Sequence, residues 1–268
     1  MGVPEAALSR RPTLNPTLTI GVLTKNESAR IGNCLRSAAF ADQLLVIDSG
    51  STDDTVAIAQ SLGAEVHLHP DWQGFATQRN RVLAHATGDY IFFLDADEEI
   101  PPPLQAEIQA AVASGEVASW KIVWRLVVYG RELRHFRPEW RVARLFRRSA
   151  LEGYVGAVHE QPVLRGNVPS HRLQQRLRHY SHETVRDSLE KLTQYSMLGA
   201  KKRAGQRGGV LRGIASGLAL FVRLYIFRLG FTGGGPGFLY CLCIALEGFF
   251  RYAALHYDRD SLSDQVGR

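Results

Sequence analysis

Four carboxylates follow directly on an apolar run, and their types and spacing suit the binding of a divalent cation. The run Tyr90–Leu94 has the aromatic and β-branched character of a buried strand, and Asp95, Asp97, Glu98 and Glu99 come after it. Because ionised carboxylates are not buried unpaired, the chain must reach the surface at Asp95. In extended chain Asp95 and Asp97 point the same way, as ligands of a hard cation shared with substrate phosphates would. The simpler alternative is a surface turn that opens a helix.

Strands and helices alternate along the first half of the chain and would position these carboxylates. Apolar runs end in polar residues at Thr24, at Asp48 and at Asp95, and helical patterns lie between the runs. This alternation predicts an α/β fold with a Rossmann-like, mostly parallel sheet flanked by helices. The polar residues then gather at the carboxyl edge of the sheet, where ligands bind. No Gly-x-Gly-x-x-Gly follows the first run, so we expect no dinucleotide cofactor.

The charge is divided unevenly between the two halves of the chain. Residues 1–120 hold 7 Lys/Arg and 15 Asp/Glu, whereas residues 121–268 hold 25 and 11. The basic half is typical of proteins with an anionic partner, which here is a phosphorylated acceptor, an acidic membrane leaflet or nucleic acid. A solvated basic surface is the simpler explanation. Three cysteines, Cys34, Cys241 and Cys243, lack metal-ligand spacing and indicate a reducing compartment.

Two apolar runs near the C-terminus are separated by a glycine-rich segment. Gly213–Val222 and Phe238–Leu246 are each shorter than the roughly 18 to 20 residues of a spanning helix. The segment Gly233–Gly237 between them is expected to break any helix. We therefore expect two amphipathic helices on a membrane surface, with Lys201–Arg203 and Arg207 meeting anionic lipid. The alternative is a helical hairpin that packs on the rest of the protein or forms a dimer contact.

Four motifs occur in order along the chain: Leu23–Glu27, Val46–Asp53, Gln78–Asn80 followed by Ala86–Tyr90, and Asp95–Asp97. Their order and spacing resemble the family-2 glycosyltransferases of the GT-A fold. The segments Trp72–Asn80 and Val158–Glu160 further resemble the branch that includes bacterial lipopolysaccharide core glucosyltransferases. The segment Gly230–Phe238 matches the glycine pattern of that branch, except for an extra glycine where an acidic residue is frequent.

This resemblance implies a domain organisation and an activity. With the composition it predicts a flexible tail at 1–16, a GT-A catalytic domain at 17–180, a C-terminal amphipathic helical region at 181–258 and a tail at 259–268. It implies inverting, metal-dependent transfer of a hexose, with glucose expected, from a UDP-sugar to a lipopolysaccharide core or related cell-envelope glycan. The enzyme would work at the inner face of the cytoplasmic membrane. A polyprenyl-phosphate or a protein or peptide is the alternative acceptor.

The resemblance also implies where the nucleotide-sugar binds. Thr24 and Glu27 would line the base and ribose pocket, and Asp48 would accept a hydrogen bond from a uracil N–H. Many family members have a second Asp after this position, where this chain has Ser49. Arg79 would offer a planar cation to the nucleotide.

The acidic motif would hold the metal in the same resemblance. Asp95 would contact the ribose or the ion, and Asp97 would bind Mn²⁺ or Mg²⁺ and so neutralise charge on the departing UDP. His159 would be a further metal ligand or a diphosphate contact. Arg144 and Arg147–Arg148 are candidate contacts to an acceptor phosphate.

Inversion requires one base that takes the proton of the acceptor hydroxyl. The candidates are Glu160, Glu98 and Glu99. Glu98 and Glu99 belong to the metal-binding turn, where a helix N-terminus keeps them ionised. Glu160 lies in a later loop that can close over the acceptor, and we therefore favour it.

Two other classes of protein compete with this interpretation. A nucleotidyltransferase would share the sheet and the paired acids, but it needs a glycine-rich phosphate loop after the first strand, where this chain has Thr24–Glu27. A nucleic-acid-binding protein would use the basic half. Its basic residues form no known module, and an acidic rim repels phosphate, so we expect no nucleic-acid partner.

Overall fold

The computed structural model describes residues 15–138, 141–156 and 160–259. Its contacts divide the chain into two units. Unit 1 comprises Met1–Ala96, Ile100–Ile122 and Val142–Gln175, and unit 2 comprises Asp97–Glu99, Val123–Arg141 and Arg176–Arg268. The domain boundaries that we infer from the sequence stay a prediction.

The described residues form strands and helices in the following chain order. The strands are β1 Leu18–Thr24, β2 Gln43–Asp48, β3 Glu65–Leu68, β4 Tyr90–Asp95, β5 Glu98–Glu99, β6 Ser119–Val128, β7 Arg131–Glu132, β8 Val142–Arg147, β9 Leu151–Val155, β10 Gln161–Leu164 and β11 Ser170–Tyr180. The helices are α1 Ile31–Ser37, α2 Thr55–Ser61, α3 Phe75–His85, α4 Pro102–Ala113, α5 Val185–Lys201, α6 Val210–Val222 and α7 Gly234–Tyr257.

Unit 1 is built on a parallel sheet with the strand order β3-β2-β1-β4. Its register pairs Thr24 with Asp48 and Leu23 with Asp95, so the polar strand ends lie side by side at the carboxyl edge. β4 is buried throughout its apolar run because it lies between β1 and β8. The predicted α/β class, with a parallel sheet flanked by helices, is confirmed.

The close packing of α3 on this sheet depends on a glycine. A Cβ at Gly21 in β1 would overlap Cγ1 of Val82 in α3. Val82 belongs to the core cluster of unit 1, which also contains Ile47, Phe93 and Phe146. This contact brings α3 and its polar residues close to the sheet.

The remaining strands of unit 1 run antiparallel. β8 pairs with β4 in the register Phe92–Leu145, and β6 pairs with β8. β9 and β10 form a separate hairpin. Gly153–Val155 ends β9 and Gln161 begins β10, so Glu160 lies directly before a strand.

Unit 2 combines short strand pairs with the three long helices. β5 pairs with the end of β11, and β7 pairs with the end of β6. α6 packs on α7 through small residues: a Cβ at Gly213 would lie 2.8 Å from the carbonyl oxygen of Phe249, and one at Gly217 would lie 3.0 Å from that of Ala245. A side chain at either position would push the two helices apart.

The C-terminal helices are longer than the apolar runs from which we predict them. The helical segment Val210–Phe227 has 18 residues with mean hydropathy 1.7, and Gly230–Tyr257 has 28 residues with mean hydropathy 1.5. By length and composition alone, these two segments of the described chain could each cross a membrane. The expected break at Gly233–Gly237 is displaced: the chain turns at Leu229, with φ 61°, and Gly234–Gly237 forms the first turn of α7. Proline is tolerated in a first helical turn, which explains Pro236 there.

Burial of His182 in unit 2 makes stability depend on pH. His182 is 3% exposed, and its Nδ1 lies 2.8 Å from Oγ of Ser181. Burial, aided by the charge of Lys191, lowers the pKa of His182 from 6.5 to about 4. Between these values the unfolded chain binds a proton that the folded chain excludes, so this histidine makes stability fall as pH falls.

We predict that His182→Asn removes this contribution, and Asn also tolerates the left-handed backbone at φ 52°. Urea unfolding of both proteins between about pH 4.5 and 7 measures the effect. The wild-type free energy of unfolding should rise more steeply with pH, by at most about 1.4 kcal/mol per pH unit. Identical slopes in the two proteins would show that His182 is not buried as described.

Candidate active site

Arg79 links three elements of unit 1 at the carboxyl edge of the sheet. Its side chain, on α3, is 6% exposed. Nη2 donates to Oδ1 of Asp95 at 3.1 Å, and Nε donates to Oε1 of Glu160 at 3.2 Å. The guanidinium carbon lies 5.7 Å from the ring centre of Phe93 and 5.8 Å from that of Tyr154. Nη1 is buried and has no hydrogen-bond partner among the described residues.

A second arginine binds the other oxygen of the same carboxylate. Arg144 on β8 donates from Nη2 to Oδ2 of Asp95 at 2.5 Å, and its side chain is 5% exposed. The antiparallel register of β8 and β4 places Arg144 near the carboxyl end of β4. Asp95 is thus held between two guanidiniums, and with Glu160 the cluster contains two cations and two anions.

Burial keeps a neutral phenol beside this cluster. It raises the pKa of Tyr154 well above its usual range, against the opposing effect of Arg79 and Arg144. The backbone of Tyr154 is held by Asn80, whose Oδ1 accepts from the Tyr154 N–H at 2.7 Å. β9 is thereby attached to α3 one residue after Arg79.

The side chain of Asp48 stabilises the turn that follows β2. It is fully buried, and Oδ1 accepts hydrogen bonds from the backbone N–H of Gly50 at 2.9 Å and of Ser51 at 2.8 Å. The Ser51 hydroxyl donates to Oδ2 at 2.5 Å. Ser49, at the position of the second family Asp, accepts a hydrogen bond from Nε2 of Gln78 at 2.8 Å. A carboxylate has four lone-pair sites, so Asp48 keeps one for a ligand.

Hydrogen bonds connect the loop after β1 with the loop after β2. Glu27 donates its backbone N–H to Oγ1 of Thr55 at 2.8 Å, and its side chain pairs with Arg30 at 2.8 Å. The hydrogen bonds of Asp53, chiefly from the Thr55 hydroxyl, lower its pKa to about 2. Thr24 is buried, and its Oγ1 has no hydrogen-bond partner within the described part of the chain.

Asp97 lies in unit 2 and has a different partner from Asp95. Its Oδ2 is 3.3 Å from Nε2 of His179 on β11, and its carbonyl oxygen accepts from the Tyr180 N–H at 2.9 Å. Glu98 is buried and accepts from Nε1 of Trp124 at 2.5 Å. Glu99 accepts from the Tyr180 hydroxyl at 2.8 Å.

These contacts decide which groups of unit 2 fit a metal ion. A carboxylate and an imidazole at 3.3 Å are donors that a divalent cation accepts, and such an ion usually takes its further ligands from substrate phosphates. Among the described residues no group of three or more His, Cys, Asp or Glu is placed to hold a metal by itself. The donor set therefore fits an ion that the substrate helps to bind. His159 lies outside the described residues.

His179 is the site residue that the sequence analysis misses. No strand is predicted over Ser170–Tyr180. Leu173 and Leu177 are four residues apart with Gln175 between them, a spacing that fits one face of a strand and one face of a helix equally well, so the segment has no clear local signal for a strand. In the observed strand, His179 lies on the face that carries both leucines. Its pairing with Asp97 depends on contact between distant segments and has no local signal.

The three arginines proposed for an acceptor phosphate do not lie together. Arg144 binds Asp95. Arg147 pairs with Asp89 at 3.2 Å, and Nε of Arg148 donates to the Gly88 carbonyl oxygen at 2.6 Å, both next to the amino end of β4. Arg147 and Arg148 therefore do not contact Asp95 as Arg144 does, and the acceptor-phosphate role of the three arginines stays a prediction.

The comparisons with known proteins identify the family. The family model "Glycosyl transferase family 2" matches residues 19–223, and the chain belongs to this family. An uncharacterized glycosyltransferase of Rickettsia felis is 31% identical over 257 residues, covering 90% of this chain and 89% of the relative. The lipopolysaccharide core biosynthesis glycosyltransferase LpsC of Rhizobium meliloti is 30% identical over 256 residues, covering 91% of this chain and 93% of the relative.

A solved structure also overlaps with part of the chain. It is glucosyl-3-phosphoglycerate synthase from Mycobacterium tuberculosis in complex with Mn²⁺, UDP and glucosyl-3-phosphoglycerate, with 27% identity and a TM-score of 0.36 over 44% of this chain and 50% of that one.

The partners of the two aspartates predict different effects of mutation. Asp95→Asn removes the charge that neutralises two buried guanidiniums, so we expect it to lower the free energy of unfolding by about 2 kcal/mol, a value reduced for the partial exposure of Asp95. Asp97→Asn alters only the partly exposed contact with His179, so we expect it to change the free energy of unfolding by less than about 1 kcal/mol. Denaturant unfolding of both variants measures this. Equal losses would contradict the separate assignment of the two side chains.

Proposed function

We propose that this family-2 glycosyltransferase transfers a hexose, with glucose the first candidate, from a UDP-sugar to a lipopolysaccharide core or related cell-envelope glycan. The acceptor is supported by the likeness to LpsC over most of both chains. The observation that carries the proposal is the cluster of Arg79, Arg144, Asp95 and Glu160 at the carboxyl edge of a parallel sheet. A polyprenyl-phosphate or a peptide remains the alternative acceptor.

Donor binding is proposed for residues of unit 1. The buried Nη1 of Arg79 is an unpaired charged donor among the described residues, and an oxygen of the donor diphosphate would satisfy it. The unpaired hydroxyl of Thr24 and the remaining lone pair of Asp48 are proposed for the ribose and the uracil N–H. Glu27 is proposed for the same pocket. Because Asp48 is fully buried, its ligand must enter the turn after β2.

A divalent ion, Mn²⁺ or Mg²⁺, is proposed at Asp97, with His179 as its second protein ligand. When bound, it would supply positive charge to the departing UDP. The metal role proposed for Asp95 competes with its two hydrogen bonds to guanidiniums, so we assign Asp95 chiefly to positioning Arg79 and Arg144. His159 remains a proposed metal ligand or diphosphate contact.

Glu160 is proposed as the base that takes the proton of the acceptor hydroxyl and so allows direct, inverting attack. Glu98 and Glu99 are engaged by Trp124 and Tyr180, which leaves them less suited to this role. Glu160 accepts a hydrogen bond from Nε of Arg79 at 3.2 Å. If Arg79 turns toward the diphosphate when the donor binds, the carboxylate becomes free to accept a proton.

The test is a transfer assay with a panel of UDP-sugars, Mn²⁺ and a deacylated lipopolysaccharide core as acceptor. We expect UDP-glucose to be used first and proton NMR to show a β-linked product, opposite to the α configuration of the donor. Glu160→Gln should lower kcat by at least about 100-fold with little change in UDP affinity. Retention of configuration, or a Glu160→Gln enzyme of wild-type activity, would contradict the proposed mechanism.

Association with an anionic membrane surface is proposed for α6 and α7. Only 11% of the residues in Val210–Phe227 are buried, and Leu211, Ile214 and Leu218 are exposed along one side of α6. Lys202, Arg203 and Arg207 lie between α5 and α6. Basic residues beside an amphipathic helix strengthen its binding to an anionic membrane surface. Arg212 and Arg223 limit the uncharged part of α6 to a short stretch, which favours a helix lying in the membrane surface.

We predict that Leu218→Gln weakens binding to anionic liposomes by about tenfold or more, because a buried leucine contributes about 1.5–3 kcal/mol. Leu68→Gln is the matched control, since Leu68 and Leu218 are both 62% exposed and Leu68 lies on β3. Liposome co-sedimentation measures the binding. Equal binding of both variants to the liposomes would favour the alternative, in which α6 and α7 form a hairpin that packs against protein.

A further inference from the structure

Two aromatic side chains are exposed where the chain enters α3, one in the preceding loop and one at the first residue of the helix. Trp72 and Phe75 are each 47% exposed. Their ring centres lie 4.9 Å apart, and their planes meet at 90°. We call this pair the aromatic corner. Because the two rings are adjacent, they form one contiguous exposed apolar surface, which is available for binding.

The loop is held in place by hydrogen bonds, so the aromatic corner is preformed. The Trp72 N–H donates to the Pro70 carbonyl oxygen at 3.0 Å. Asp71 accepts from Nη2 of Arg81 at 2.5 Å and from Nε2 of Gln73 at 2.9 Å. The salt bridge, chiefly through its hydrogen bond, lowers the pKa of Asp71, which keeps it charged and paired. Gly74, with φ 97°, then turns the chain into the first residue of α3.

The aromatic corner lies on the side of α3 that faces the site. Phe75, Gln78 and Arg79 are spaced i, i+3 and i+4, so they share one face of the helix. Gln78 contacts Ser49 at the end of β2, and Arg79 contacts Asp95 at the end of β4. Phe75 is therefore one helical turn before the donor-binding residues, on the same face.

We propose that the aromatic corner binds a pyranose ring of the saccharide acceptor. This inference rests on the proposed function and names a part of the acceptor site. The C–H bonds on the face of a pyranose carry partial positive charge, and an aromatic face carries partial negative charge. Two rings at 90° form a corner that fits one face and one edge of a puckered sugar ring.

The openness of the aromatic corner favours the acceptor over the donor. The transferred sugar must be enclosed, because water at the reacting carbon would hydrolyse the donor. Trp72 and Phe75 are about half exposed, which instead suits a longer saccharide that extends from the site into solvent. A flat nucleobase would be held better between parallel rings than in a perpendicular corner.

The test compares Trp72→Ala, Trp72→Phe and the control Val117→Ala, which shortens another exposed apolar side chain of unit 1. The probe is a deacylated lipopolysaccharide core oligosaccharide, whose binding is followed by calorimetry without UDP. We expect Trp72→Ala to bind it about fivefold to tenfold more weakly, with Trp72→Phe largely restored and Val117→Ala unchanged. In the transfer assay the oligosaccharide KM should rise by the same factor.

The other outcomes separate this inference from the proposed function. Unchanged oligosaccharide binding by Trp72→Ala, or no binding by the wild type, overturns it. A loss of UDP affinity in Trp72→Ala, with oligosaccharide binding intact, overturns it in favour of a donor contact. Weaker liposome binding with oligosaccharide binding intact overturns it in favour of a lipid contact. If the wild type binds the oligosaccharide at the aromatic corner but binds no UDP, the proposed function fails and the saccharide site stands.

Discussion

The carboxylate of Asp95, held between the guanidiniums of Arg79 and Arg144, is the constraint on which unit 1 depends. A charge at the end of a fully buried strand is costly unless it is paired. The pairing uses one arginine from α3 and one from β8, so it ties a crossover helix and an antiparallel strand to the same point. Through Arg79 it also positions Glu160, the residue that precedes β10. Packing of α3 against Gly21 of β1 is what allows Arg79 to reach this point.

This pairing changes how the acidic motif should be understood. Two aspartates separated by one residue suggest a shared role, but in the structure their partners differ. Asp95 is neutralised by arginines, whereas Asp97 is next to an imidazole. A carboxylate bound to two guanidiniums is a poor metal ligand, because the ion would have to displace two charge-assisted hydrogen bonds. In the part of the chain that the structure describes, no guanidinium is paired with Asp97, and His179 adds a donor that a divalent cation accepts.

The parts that could be predicted from the sequence are those with local signals. Apolar runs ending at Thr24, Asp48 and Asp95 predict the parallel strands, and their shared edge follows from the topology of alternating strands and helices. The signals fail where pairing joins distant segments. Nothing local in β11 shows that it pairs with β5 and brings His179 to Asp97. Likewise, no local feature indicates that Asp95 will be bound by Arg144, 49 residues later.

The C-terminal helices show a different limit of sequence reasoning. Charged residues and glycines end the apolar runs of the sequence, yet the helix continues through Arg223 and α7 begins within the glycines. Glycine breaks an isolated helix because it is flexible, but Gly213 and Gly217 are required where α6 and α7 pack closely. Tertiary packing, which the sequence pattern does not show, decides the outcome there.

We propose that Asp97 and His179 bind a divalent metal ion that promotes UDP binding. The decisive measurement is calorimetric titration of UDP, with and without Mn²⁺, into the wild type and the His179→Gln variant. We expect the wild type to bind UDP tightly only with Mn²⁺, and His179→Gln to show about tenfold to 100-fold weaker metal-dependent binding. UDP binding that is unaffected both by Mn²⁺ and by the loss of His179 would contradict it.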